Sequence, residues 1–147
     1  MNTDILISLF EKDLNKLITE IENYKIEANI WRVENNISNS AGNLALHLIG
    51  NLNGFIGTEL GKTNYVRNRE LEFSQKNVPR KELIEKINDT IKVIRDSLSK
   101  VTNEGLRKEY SNVKFPEITT TESLLVHLAT HLNYHLGQIN YHRRLIE

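Results

Sequence analysis

Four of the five histidines of this 147-residue chain fall in "HLATHLNYHLGQINYH", residues 127–142, and the fifth is His47. His127, His131, His135 and His142 are separated by four, four and seven residues. These are helical spacings, so their imidazoles share a face of one helix. At about 100° per residue, with His131 at zero, His127 falls near −40°, His135 near +40°, His142 near +20° and Gln138 near −20°. Leu128, Leu132, Leu136 and Ile139 span roughly +60° to +140°, so the histidines border the apolar stripe. The same construction about His47 puts Leu44, Leu48, Leu52 and Phe55 between about +60° and +140°. Asn43, Asn51 and Gly54 lie within about 40° of His47. Each helix thus carries a polar notch beside its buried face, and two such notches can meet.

Two imidazoles one helical turn apart, joined by a third from another helix, offer three neutral nitrogens to one metal ion. A fourth position is left for water or substrate, the arrangement of a catalytic zinc site. Such an ion lowers the pKa of a bound water or thiol. Asn43, Asn51 and Gln138 are the natural outer hydrogen-bonding partners. On spacing alone both His127/His131 and His131/His135 serve as the pair. His142, near the chain end, is expected to be a surface or capping group.

Other chemistries lack their residues. No Glu stands three residues before a histidine, as di-iron carboxylate bundles require. There is no "HExxH" zinc-protease motif, no phosphate-cradling glycine loop and no "GxSxG". The chain has no cysteine, which excludes disulfides, thiolate ligands and "CxxCH" haem attachment.

The elements that must position the histidines are helices. Apolar residues recur at three and four over about residues 3–25, 39–60, 79–102 and 120–146. Pro79 suits a first helical position, and Thr119 with Glu122 fits a capping box. The third segment has a seam of Ile84, Ile87, Ile91, Ile94, Leu98 and Val101. Gly42, Gly50, Gly54 and Gly57 in the second segment lower helix propensity, so close packing is expected there. The reading is an all-α, single-domain, four-helix bundle with long second and third connections, 61–78 and 103–118. The first of these holds Tyr65, Phe73 and four charges that can face a pocket: Arg67, Arg69, Glu70 and Glu72.

Nineteen basic residues balance nineteen acidic ones. No basic field suits nucleic acid, and no apolar run approaches the roughly 20 residues of a membrane span. Acidic residues interrupt the first apolar pattern, which makes a poor signal peptide, so a cytoplasmic location is expected.

The first helix, "IW" in the following loop, "NSAGNLALHLIGNL" and "THLNYHLGQI" together resemble the DinB-like (YfiT-like) superfamily over nearly the whole chain. The branch marked by "GNLALHLIGNL" and "GKTNYVRNRELEF" is one of unknown function. The resemblance implies a divalent metal, zinc or nickel foremost, on His47, His131 and His135, and "HLGQ" selects that pair over His127/His131. It also implies a homodimer, a small-molecule substrate, and in some relatives transfer of a low-molecular-weight thiol activated by the metal. Arg67 and Arg69 are then candidates to hold the carboxylates of such a thiol. His127 is left as an outer-sphere group, a proton carrier or a packed side chain. Two other functions are kept open: a metal-activated hydrolase, disfavoured by the lack of a carboxylate in either notch, and a non-enzymatic dimerising bundle.

Overall fold

The computed structural model describes residues 2–147. Six α-helices and no strand form among them: α1 (Thr3–Asn23), α2 (Ala41–Leu52), α3 (Arg69–Ser74), α4 (Arg80–Leu98), α5 (Asn103–Arg107) and α6 (Thr121–Ile146). α1 starts where the Asn2 side chain accepts from the Ile5 N–H, and it buries Leu6, Phe10, Leu14, Leu17 and Ile21. α1 packs on α4 and α6, and α2 packs on the same two helices. No described helix is long and apolar enough to cross a membrane.

The expected second helix is two structures. Ala41–Leu52 is α-helical and wholly buried. From Asn53 to Leu60 the coil widens into π-helix. The Asn53 side chain marks the change, donating to Ile49 O at 2.8 Å and Thr90 Oγ1 at 2.9 Å. Side-chain bonding to the backbone competes with the regular ladder, and a wider coil shifts the register. Ile56 is therefore fully buried while Phe55, expected on the apolar face, is half-buried.

Three further expectations are corrected. Pro79 is the residue before α4, not its first helical residue. The capping box of α6 is Thr120 with Ser123 rather than Thr119 with Glu122, since the Ser123 hydroxyl reaches the Thr120 N–H at 3.0 Å. The α4 seam is turned, burying Leu83, Ile87, Thr90, Ile94, Ser97 and Leu98 and leaving Ile84 and Ile91 half-covered.

Each long connection contains a short helix. α3 lies in the first and packs on α2. The second contains α5, followed by a single antiparallel bridge between Glu109 and Thr120.

His142 is not a surface group. It is 4% exposed, with Nδ1 2.7 Å from Tyr24 Oη and Nε2 2.8 Å from the Arg32 carbonyl. Burial holds its pKa down, so the ring is neutral, donating to Arg32 O and accepting from Tyr24. Beside it the Glu147 carboxylate accepts from the Lys25 and Ile26 N–H groups, each at 3.0 Å. The end of α6 is thus tied to the turn after α1. Tyr24→Phe should cost about 1–3 kcal/mol by leaving the His142 nitrogen buried without a partner. Urea denaturation measures this, and an unchanged midpoint would show that the bond contributes nothing.

Candidate metal centre

His47 sits in the middle of buried α2, and His131 and His135 are one turn apart on α6. Because these helices pack together, the two notches meet. His131 Nε2 lies 3.2 Å from His47 Nε2 and 3.1 Å from His135 Nε2. One ligand atom from each of the three lies within 4.8 Å of the others. Imidazoles at the usual 2.0–2.1 Å from a tetrahedral zinc stand about 3.3 Å apart. The rings of His47 and His135 meet that of His131 edge-on, at 80° and 90°, so the rings surround a point rather than stack.

The outer nitrogens explain the orientation. His47 Nδ1 is 3.0 Å from Glu72 Oε1, and His135 Nδ1 is 2.7 Å from Gln138 Oε1. Both partners are acceptors, so both Nδ1 atoms carry the proton and both Nε2 lone pairs point inward. His131 Nδ1 is buried without a partner among the described residues. Two lone pairs aimed at a third nitrogen from 3.1 and 3.2 Å need positive charge between them. A proton on His131 Nε2 satisfies them partly, whereas a divalent ion satisfies all three nitrogens. The residues present fit such an ion.

Glu72 comes from α3, and two features hold it. Arg67 clamps it with both arms, Nε to Oε2 at 2.9 Å and Nη2 to Oε1 at 3.0 Å. The carboxylate also lies directly on Gly50, where a Cβ would collide with Oε2. One turn on, a Cβ at Gly54 would meet Arg67 Cδ at 3.3 Å. The glycines of α2 therefore make the groove in which the Glu72–Arg67 pair rests. Asn43 fastens the segment by donating to Glu72 O at 2.9 Å and Gln75 O at 2.8 Å.

The predicted residues thus divide. His47, His131, His135 and Gln138 lie together. Asn43 bonds to the backbone of the α3 segment rather than to an imidazole. Asn51 is buried one turn beyond His47, with Oδ1 unpartnered among the described residues. His127 is half-buried, stacked near-parallel on His131 at 6.4 Å between ring centres and packed on Phe115 at 5.3 Å. Arg67 is engaged by Glu72. Arg69 is exposed, its guanidinium 5.4 Å from the Phe73 ring centre, and Phe73 lies 4.9 Å from His47. Neither notch carries a carboxylate of its own, and Glu72, one of the four charges of the 61–78 connection able to face a pocket, reaches His47 from that segment. The signal available was the Gly50/Gly54 pair, a gap in one helix that some other side chain had to fill.

Burial lowers the His47 pKa, although Glu72 pulls the other way. Burial, followed by the charges of His135 and His47, lowers that of His131 to about 4. Neutral imidazoles at neutral pH are what metal ligation needs. His47, His131 and His142 all bind protons more weakly folded than unfolded. The stability of the metal-free protein should therefore fall as pH drops from about 6.5 towards 4. The urea midpoint should be lower at pH 5 than at pH 7, and the drop smaller in His131→Gln. A midpoint independent of pH would contradict this electrostatic picture.

Comparison with curated proteins returns no match. Residues 6–147, nearly the whole chain, match the family described as "Protein of unknown function (DUF1572)", and the chain belongs to that family.

Proposed function

We propose that the chain is a single four-helix bundle of the DinB-like type that binds one divalent ion, zinc or nickel, on His47, His131 and His135. The observation that carries this reading is the meeting of three imidazole Nε2 atoms, His131 lying 3.2 Å from His47 and 3.1 Å from His135. Glu72 and Gln138 turn two Nε2 lone pairs onto the same point as His131 Nε2. When bound, the ion would lower the pKa of a thiol or water at its open position.

Thiol S-transfer is the reaction best matched to the site. The thiol gives up its proton, its sulfur forms a bond to an electrophilic carbon, and the leaving group departs with the electrons of the broken bond and takes up a proton. His47 and His135 hold the reacting point through fixed rings. Arg69, over Phe73 and one ring from His47, offers a guanidinium to a carboxylate of the thiol. Glu72 does not supply a free base for hydrolysis, since His47 and Arg67 occupy its oxygens.

Elemental analysis of untagged protein tests the ion. Wild type should carry about one zinc or nickel per chain. His47→Ala, His131→Ala and His135→Ala should lose it while remaining helical, and His127→Ala should keep it. Folded wild type that takes up neither metal on reconstitution would leave packing as the role of the stripe. Full metal in His47→Ala would sink the ligand set. Turnover of an electrophile only with added thiol supports transfer, and turnover without thiol supports hydrolysis.

The α2 groove gives a separate test. Gly50→Ala favours helix but puts a methyl group where the Glu72 carboxylate lies. Metal affinity should fall about 10–100-fold, as expected on losing a ligand's outer partner. Competition with a chelating dye reads this, and unchanged affinity would show that Glu72 does not orient His47.

A further inference from the structure

His135 and Gln138 also form part of the wall of a cleft of about 510 Å³. Buried Leu44 and His142 lie in it. One side is α6, where Tyr134, Tyr141 and Leu145 follow each other at seven and four residues. These side chains are 65%, 67% and 69% exposed. They form a large apolar edge beside the histidines. The other side is residues 36–39, with Asn36, Ser38 and Asn39. No side-chain hydrogen bond to another described residue engages these three or Tyr141.

The cleft is also uncharged. None of its eleven lining residues is Asp, Glu, Lys or Arg, where the chain's 26% of charged residues would bring about three. His142 is neutral, held between Tyr24 and the Arg32 carbonyl. Neither Arg67, clamped on Glu72, nor Arg69, over Phe73, lines the cleft, and Arg144 beside Leu145 donates to Asn140. A charged ligand lying along the tyrosine wall of the metal-free cleft would lose hydration with no charged lining side chain to replace it. A planar ring would gain contact with tyrosine faces.

We propose that this cleft is the electrophile's subsite, taking an uncharged, ring-bearing organic molecule that lies against Tyr134 and Tyr141 with its polar groups on Asn36, Ser38 or Asn39. The proposal rests on the metal-centre reading for the ligand's role as substrate, but not for its binding. It divides the site, leaving the anionic thiol to the Arg69 side.

The test uses 4-fluorobenzamide against 4-fluorobenzoate and 4-fluorobenzylammonium, which share the ring and differ in charge. The charge comparison uses the metal-free full chain, in which no carboxylate can coordinate an ion, and binding is followed by fluorine and amide NMR. The amide should bind at least about tenfold more tightly than either ion. Tyr141→Ala should weaken it by roughly tenfold. Its fluorine line should broaden in cobalt-loaded protein and stay sharp in zinc-loaded protein, which places it beside the centre. Equal or tighter binding of an ion, or indifference to Tyr141→Ala, would overturn the proposal. So would a dimer that closes the cleft, seen by sedimentation as loss of amide binding with rising protein concentration. If the chain takes up no metal, the metal-centre reading fails alone. Amide binding lost in Tyr141→Ala would then still support a neutral ligand site, and absence of amide binding in metal-loaded protein would overturn this proposal alone.

Discussion

The buried carboxylate of Glu72 is the group on which the candidate site depends. It is 6% exposed, and a carboxylate withdrawn from water is costly unless charge and hydrogen bonds replace its hydration. Arg67 supplies the charge and two bonds, and the His47 Nδ1–H supplies a third. The arrangement also works in reverse. Because Glu72 can only accept, it fixes the tautomer of His47 and aims Nε2 at His131 and His135. A residue outside the histidine cluster thus decides which nitrogen faces the centre.

That arrangement requires room at the surface of α2, which explains a helix otherwise costly to form. Gly50 and Gly54 give up helix propensity so that a carboxylate and an arginine stem can lie on the backbone. Gly42 does the same for the Trp31 ring, whose atoms come within 2.6 Å of an added Cβ. Asn43 then holds the arriving chain by its carbonyls. Burial of all twelve α2 residues follows, because other elements cover it on every side.

The two ends of α6 show histidine used in two ways. His131 and His135 face a polar point with lone pairs directed inward. His142 has both nitrogens satisfied, by Tyr24 and by the Arg32 carbonyl, and serves packing. Burial lowers the pKa of His131 and of His142 alike, so charge state does not distinguish a ligand from a packed ring. What distinguishes them is whether the lone-pair nitrogen meets a donor of the protein, as Tyr24 is for His142, or other imidazole nitrogens.

The sequence by itself determined the helical class, the apolar stripes of α1, α4 and α6 and the shared face of His131 and His135. Those are consequences of local periodicity, which a helix converts directly into direction. It also displayed the small-residue gap in α2 without saying what fills it. Tertiary structure decided the rest. The π-turns begin at Asn53, whose side chain bonds Thr90 on another helix, and with them Ile56 rather than Phe55 is fully buried. His142 is buried because Tyr24 and Arg32 reach it across more than one hundred residues. Glu72 meets His47 across twenty-five residues, in a connection with no periodicity to read. Periodicity reports which face of an element is apolar. It carries no information about which distant side chain will satisfy a polar group on that face, since that choice is made only when the helices pack.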